Sequence, residues 1–314
     1  MSDKENIRKN ILSTIIYYDI LDFPLTSFEV WKYLTIESEK EETESDKQGC
    51  SLGEVVEMLE GKELKKHIEE FRGFYFLKGR KALVERRLQN SKNAIRKYEI
   101  AKQATRWLRE VPFVRMIAVT GTVAMRNSQK KSDIDFLVVL KKGRIWTGRL
   151  LVTLTVQLLG KRRYGKKIKD RICLNYFITT GSLRIKRQDL FAANEYSFIY
   201  PLFGFGVYKN FGRENIDWIK KYKPNFDFPS LVEVKPLRES KRTFFEGLID
   251  LFGGDRMETW IKRKQIEKIK RNPLTYKKGG YVEYTDESLV FLPEPQGPSV
   301  LEKYRVLTSQ KDFL

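Results

Sequence analysis

Residues 119–140 read VTGTVAMRNSQKKSDIDFLVVL and carry the most informative pattern in the chain. An apolar run ends at Gly121-Thr122, and ten residues later the pair Asp133 and Asp135 precedes a second apolar run. Side chains at positions i and i+2 of a strand point to the same face, so the two carboxylates are predicted to lie side by side. The pattern predicts two strands joined through a glycine turn, with polar groups gathered at one end of a small sheet.

The spacing of these residues indicates a particular chemistry. Two adjacent carboxylates repel each other unless a cation lies between them, and carboxylate oxygens suit a hard ion such as Mg²⁺. A glycine followed by a hydroxyl residue, Gly121-Thr122, can present backbone amides to phosphate groups. Asp133 and Asp135 beside such a turn therefore predict a phosphoryl-transfer site, in which a metal neutralises phosphate charge and aligns an attacking hydroxyl.

This combination resembles the signature of the DNA polymerase β-like nucleotidyltransferase superfamily, over roughly residues 113–180. The resemblance implies an α+β fold with a small mixed sheet flanked by helices. It also implies binding of an NTP such as ATP with Mg²⁺, and transfer of a nucleoside monophosphate to an acceptor hydroxyl. Asp133 and Asp135 would be catalytic metal ligands, and Gly121 and Thr122 would hold the β- and γ-phosphates. A looser likeness to bacterial nucleotidyltransferase-domain proteins with an N-terminal winged helix extends further along the chain.

The sequence departs from the superfamily pattern at one catalytic position. On the predicted strand 172–178, Asn175 stands where a third carboxylate is expected, and an amide can coordinate a metal but cannot accept a proton at neutral pH. Asp170 or Glu195 could replace that carboxylate, or Asn175 could be a purely structural polar residue. Arg126 is a candidate phosphate contact, because the family often has Arg-Gly in this segment. The alternative is that the nucleotidyltransferase fold has lost its catalytic activity and acts as a nucleic-acid-binding or regulatory protein.

Residues 1–85 predict a winged-helix-like domain of three helices and a hairpin. Apolar spacing over residues 7–20 gives the first helix, and residues 73–80 predict a hairpin around a Lys-Gly turn. The third helix, residues 52–60, carries three glutamates and no basic residue, so phosphate approach would be repelled. We therefore expect this domain to pack against protein rather than read DNA. Capping boxes are predicted at Thr26 with Glu29 and at Ser51 with Glu54.

The remaining chain alternates strands and helices before it becomes helical. The predicted units are a connecting helix over 86–112, a nucleotidyltransferase core over 113–230, and a helical C-terminal region over 231–314 with one hairpin candidate. The core is an α+β unit built on strands 114–120, 134–140 and 172–179 with a helix over 145–159.

Charge favours a polyanionic partner. The chain carries 60 Lys and Arg against 41 Asp and Glu, a net charge of +19, and the first 60 residues contribute −8, so the rest carries +27. We expect RNA or another nucleic acid as a candidate acceptor beside the NTP. Aromatic and basic residues alternate in three runs, as they do on surfaces that bind single-stranded nucleic acid: 161–167, 218–223 and 260–264. Each run is also compatible with a helix whose basic residues face solvent and whose aromatic ring is buried. A small cationic acceptor would need an acidic pocket, which the basic body disfavours.

Several classes of chemistry are disfavoured by residue counts. Cys50 and Cys173 are far apart and form no Cys-x-x-Cys pair, which leaves no disulfide framework or zinc ribbon. The single histidine, His67, lies in a charged run that predicts a surface or half-buried position on a helix, which disfavours a histidine-based hydrolase. The N-terminus has no signal-peptide pattern and the apolar stretch 145–159 is short. We expect a cytoplasmic protein without a membrane partner.

Overall fold

The N-terminal domain combines short helices with a three-stranded sheet. The computed structural model describes residues 3–36, 49–230 and 241–309. The sequence predicts an acidic loop over residues 37–48, and these residues lie outside the described ranges. Both predicted capping boxes are present, with Thr26 and Ser51 as N-caps. The elements are α1 (Asp3–Ile20), β1 (Leu25–Thr26), α2 (Ser27–Lys32), α3 (Leu52–Glu60), β2 (Ile68–Phe71) and β3 (Phe74–Leu77), with sheet order β1-β3-β2.

The hairpin of this domain is placed differently from the prediction. Its turn lies at Arg72-Gly73, not at the Lys-Gly pair that follows, because β2 pairs with β3 from Ile68 opposite Leu77 to Phe71 opposite Phe74. Arg72 and Gly73 both have positive φ values, 55° and 77°, as a two-residue hairpin turn requires. The predicted helix around His67 is wrong too: His67 is half-buried and follows a single 3₁₀ turn immediately before β2.

The core contributes the long connecting helix and most of the larger sheet. Strands predicted over 134–140 and 172–179 are confirmed with those bounds. The elements are α4 (Ala82–Leu108), β4 (Val114–Val119), α5 (Gly121–Ala124), β5 (Ile134–Leu140), α6 (Ile145–Leu158), β6 (Ile172–Thr179), α7 (Leu190–Ser197), β7 (Tyr200–Phe203) and α8 (Phe205–Lys220).

The C-terminal region is not simply helical, because its hairpin belongs to the core sheet. It consists of α9 (Lys241–Leu251), α10 (Gly254–Lys270), β8 (Tyr281–Tyr284), β9 (Ser288–Leu292) and α11 (Gly297–Thr308). The sheet order is β7-β4-β5-β6-β9-β8, and β9 pairs with β6. Only the central β5–β6 pair is parallel among the described strands, so the sheet is mixed as predicted. Sheet pairing therefore continues across the predicted domain boundary at residue 231.

Successive side chains of the central strands point to opposite faces of the sheet, and both faces are buried. Phe136 and Val138 of β5 pack with residues of α4, α6 and α10, whereas Leu137 and Val139 face α7, α8 and the N-terminal domain. By the same alternation Asp135 lies on the face of Leu137. The acidic residues are therefore directed toward α7 and not toward the basic helix α10.

The N-terminal domain packs directly on the core. The rings of Tyr33 and Phe198 lie 4.4 Å apart, and one apolar cluster includes residues of α1, α7 and α8. Trp218 and Lys223 are buried beneath this contact. Trp218 is therefore not available to stack on a nucleic-acid base, whereas Lys220 and Lys221 of the same run are exposed. In the described part of the chain, no helix combines the length and apolar character needed to cross a membrane.

Candidate active site

The glycine turn after β4 is held against the acidic strand β5. The Thr120 amide donates to the Asp135 carbonyl at 3.0 Å, which continues the β4–β5 pairing into the turn. Gly121 then adopts φ +62°, and a Cβ at this position would lie 3.0 Å from Asp135 Oδ2. Both the conformation and the close approach favour glycine. The backbone of Gly121-Thr122 is thus placed beside the carboxylate, as the sequence predicts.

Asp133 and Asp135 lie next to the Cys173 thiol, which the sequence did not predict as part of the site. Asp135 is directly opposite Cys173 in the parallel β5–β6 pair. One carboxylate oxygen of each aspartate and the Cys173 sulfur all lie within 4.8 Å of one another. Asp135 and Cys173 are each the second residue of a predicted strand, but the sequence does not show that these two strands pair in this register.

A β-bulge in β6 turns extra side chains toward the same space. Asp135 pairs with Cys173 and Leu137 pairs with Tyr176, so β6 has one more residue than β5 between the two pairs. Such bulges redirect side chains and are frequent beside active sites. Asn175 Nδ2 donates to Asp135 Oδ1 at 3.3 Å, which places the amide beside the acidic pair where the third carboxylate was expected.

Arg163 closes the acidic cluster from the basic loop. Its Nη1 donates to Asp133 Oδ2 at 2.7 Å and to the Cys173 sulfur at 3.4 Å. The Arg163 side chain remains 43% exposed, while that of Asp133 is 16% exposed. The positively charged Arg163 guanidinium therefore bridges the Asp133 carboxylate and the Cys173 sulfur. Because the Arg163 side chain is exposed, it can move into solvent.

The pKa of Asp135 is changed by its burial and by its charged and hydrogen-bonding neighbours. Burial raises the pKa of Asp135 from 3.8 to about 7, and the charge of Asp133 adds to the increase. The Arg163 guanidinium and the hydrogen bonds from Cys173 and Asn175 act in the opposite direction. Two carboxylates in this position favour a bound cation over a second negative charge. Their oxygens, with the Asn175 amide oxygen after rotation of the side chain, are donors of the kind Mg²⁺ takes.

Asp170 and Arg126 lie outside the space that these residues line. Asp170 accepts from Arg96 at 2.9 Å and from the fully buried Lys97 at 3.1 Å, so it neutralises a buried ammonium group. That ion pair leaves Asp170 unsuited to replace the third carboxylate. Arg126 is exposed on the turn after α5 and does not line the cavity that Gly121 and Thr122 border.

Glu195 is the acid that faces the cluster from the opposite wall. It lies on α7, whose N-terminus is capped by Asp189. Burial raises the pKa of Glu195 from 4.5 to about 7, with further increases from the charges of Asp135 and Asp189, against a smaller decrease from Arg187. A carboxyl group with this pKa can exchange a proton near neutral pH.

The glycine turn, the acidic cluster with Arg163 and Asn175, and Glu195 border one cavity of about 510 Å³. One wall carries Thr120–Thr122 with the aspartate pair, the opposite wall carries α7, and residues 293–297 before α11 close a third side. The arrangement brings together backbone amides, two neighbouring carboxylates and an acid of near-neutral pKa. Comparisons with protein-family models, with curated proteins and with solved structures find no match to this chain.

Proposed function

We propose that this protein is a Mg²⁺-dependent nucleotidyltransferase that moves a nucleoside monophosphate from an NTP to an acceptor hydroxyl. The observation that carries the proposal is the convergence of the Gly121-Thr122 turn with Asp133 and Asp135 in one cavity. A phosphate chain needs amide donors and a cation at adjacent positions, and few other reactions need both. The superfamily resemblance of the same residues supports the proposal independently of the cavity.

The chain's own residues have distinct roles in this proposal. Asp133 and Asp135 would hold Mg²⁺, which supplies neutralisation of phosphate charge when bound. The amides at Gly121 and Thr122 would orient the β- and γ-phosphates, because the first amides of a helix have no partner within that helix. Glu195 would accept the proton of the acceptor hydroxyl, a role that Asn175 cannot perform.

A second candidate, a catalytically degraded fold with a binding or regulatory role, is favoured by one specific observation. Asn175 donates to Asp135 where the superfamily places an acid. In this alternative the cavity would bind NTP with Mg²⁺, and Glu195 would not act as a base. The two candidates differ only in turnover, so an activity measurement distinguishes them.

The test is transfer of label from NTPs in the presence of Mg²⁺, with total RNA and with a small-molecule extract as separate acceptors. We expect the native chain to transfer label and Asp133→Ala/Asp135→Ala to lose it. Glu195→Gln should reduce the rate by at least about 100-fold, as removal of a general base does. Asp217→Asn is the control, because Asp217 forms an exposed ion pair with Arg184. Label transfer that survives the double substitution would refute the proposed site. Binding of NTP without transfer would favour the second candidate.

A further inference from the structure

We infer that Asn194 binds the 2′-hydroxyl oxygen of the terminal ribose of an RNA acceptor, through a hydrogen bond that its side-chain Nδ2 donates. The inference deepens the proposed function and rests on it, because that function places the acceptor's 3′-hydroxyl beside Glu195. Asn194 precedes Glu195 in α7 and borders the same cavity, with the two side chains about 100° apart around the helix. The 3′ end of RNA presents two neighbouring hydroxyl groups, so one meets Glu195 while the other meets Asn194.

The oxygen of the Asn194 amide is already bonded to the N-terminal domain. Tyr18 Oη of α1 donates to Asn194 Oδ1 at 2.5 Å, and both residues are buried. Burial raises the pKa of the Tyr18 hydroxyl, so the hydroxyl keeps its proton for this bond. Nδ2 of Asn194 has no hydrogen-bond partner among the described residues. The amide therefore offers the cavity a donor and not an acceptor.

Lys223 fixes the direction of the bond between Tyr18 and Asn194. Its buried Nζ donates to Tyr18 Oη at 3.2 Å, to the Tyr33 carbonyl at 3.3 Å and to Thr35 Oγ1 at 3.4 Å. An ammonium group has three donors and no acceptor, so the Tyr18 oxygen accepts from Lys223 and its own proton goes to Asn194. Burial lowers the pKa of Lys223 to about 7, so the ammonium form prevails below neutral pH. Tyr18 and Lys223 are therefore positioning residues that set the orientation of the amide.

RNA is the acceptor class that fits both this donor and the charge beside the cavity. The loop 161–167 reaches the cavity through Arg163, and Lys166 and Lys167 are exposed on it. These cations suit the phosphates that precede a terminal ribose. A DNA end has the same phosphates but lacks the 2′-hydroxyl, so Asn194 would distinguish the two kinds of end.

Binding of two trinucleotides to the full chain tests the inference, at pH 6 with Mg²⁺ and without NTP, so that no transfer occurs. One probe is an RNA trinucleotide, and the other is the same molecule with a 2′-deoxyribose at its 3′ end. We expect the native chain to bind the RNA probe about five- to tenfold more tightly, as one additional hydrogen bond gives. Charge attraction and general damage to the fold affect both probes equally, so the ratio of the two affinities isolates the contact.

Two substitutions of Asn194 should reduce this ratio to about 1. Asn194→Ala removes the amide, and Asn194→Asp keeps an acceptor for Tyr18 but has no N–H to donate. A purely structural role of Asn194, as the acceptor of the Tyr18 bond, would leave the ratio unchanged in Asn194→Asp. Asn210→Asp is the matched control, because Asn210 is exposed on α8, and it should keep the ratio.

Several outcomes would overturn the inference. These are a ratio of about 1 in the native chain, absence of binding of either probe, or persistence of the ratio in Asn194→Ala or Asn194→Asp. If neither Asn194 variant folds, Tyr18→Phe, which leaves Asn194 in place but frees its amide to rotate, must lower the ratio at least about twofold or the inference fails. The result is separate from nucleotide transfer: the ratio without transfer refutes only the proposed function, and transfer with a ratio of about 1 refutes only this contact.

Discussion

At the scale of single residues, Glu195 illustrates how a site residue can reduce stability. Glu195 belongs to α7, and its charged neighbours are Asp135, Asp189 and Arg187. Because its folded pKa of about 7 exceeds the ordinary value of 4.5, the folded chain holds this proton more tightly than the unfolded chain. Stability is therefore lost as pH rises from about 4.5 to about 7, where the buried group must ionise.

We expect Glu195→Gln to stabilise the protein at pH 8 and to change stability little at pH 4. The amide keeps the shape of the side chain but removes the cost of a buried charge, an effect on the order of 1–3 kcal/mol for a shift of this size. Thermal unfolding of both chains at the two pH values measures it. A variant that is equally or less stable than the native chain at pH 8 would show that Glu195 is well solvated.

Gly121 combines a positive φ with a close approach to the Asp135 carboxylate. Gly121→Ala should destabilise the chain by about 1–3 kcal/mol, because alanine is disfavoured at φ +62° and its Cβ would approach Asp135 Oδ2 to 3.0 Å. Gly143→Ala is the matched control, since Gly143 has φ +76° with no described atom within 4 Å of its Cβ position. Denaturant unfolding gives the loss of unfolding free energy in each variant. The difference between the loss in Gly121→Ala and the loss in the control measures the effect of the contact with Asp135. Equal losses would mean that the carboxylate moves away freely.

At the scale of elements, α9 is attached by its acidic side chains. Glu246 accepts from the Phe113 amide at 2.6 Å and from both terminal nitrogens of Arg115 at 2.8 and 2.7 Å, and it is buried. The apolar side chains of the same segment are outside, with Phe244 71% and Leu251 79% exposed. The helix is therefore oriented by ion pairs rather than by apolar burial.

We expect Glu246→Ala to detach α9. The substitution removes the acceptor of the Phe113 amide and the carboxylate partner of Arg115, which keeps only its hydrogen bond to the Val114 carbonyl. Loss of one partner of a buried ion pair costs about 3–5 kcal/mol. Amide hydrogen exchange over residues 241–251 should accelerate by at least about 100-fold, while exchange in β5 stays unchanged. Asp255→Ala is the control, because Asp255 is 91% exposed in its pair with Arg144. Unchanged exchange in Glu246→Ala would show that other contacts hold the helix.

The elements also show how far the sequence predicts the structure. Continuous apolar runs gave β5 and β6 with their bounds, since buried central strands are marked by composition alone. The hairpin turn at Arg72-Gly73 was misplaced because a second glycine, Gly79, follows at the end of β3 with its own positive φ. The bulge before Tyr176 and the position of Cys173 beside Asp135 depend on pairing between distant strands, which one sequence does not reveal.

At the scale of the whole molecule, a chain of net charge +19 has a cavity lined by the carboxyl groups of Asp133, Asp135 and Glu195. Of the three candidate nucleic-acid runs, the segment 218–223 is partly buried, whereas Trp260 is 61% exposed and Tyr164 is 48% exposed. The loop 161–167 also carries Arg163, which contacts Asp133 at the cavity. An RNA end that enters the cavity would therefore pass along this loop. Lys166 and Lys167 are exposed on it, and the Lys167 ammonium lies 5.2 Å from the ring centroid of Tyr164.

If RNA is the acceptor, Lys166→Glu/Lys167→Glu should weaken its binding to the full chain and lower the steepness of the salt dependence. Each lysine that contacts a phosphate contributes about one unit to the slope of log K against log salt, so we expect a decrease of about two units. Lys65→Glu/Lys66→Glu is the matched control, because it makes the same change of charge on exposed residues of the N-terminal domain. Filter retention of labelled RNA over a series of salt concentrations measures both slopes. Equal decreases in the two variants would mean that net charge alone retains RNA, and the loop would then have no part in guiding it to the cavity.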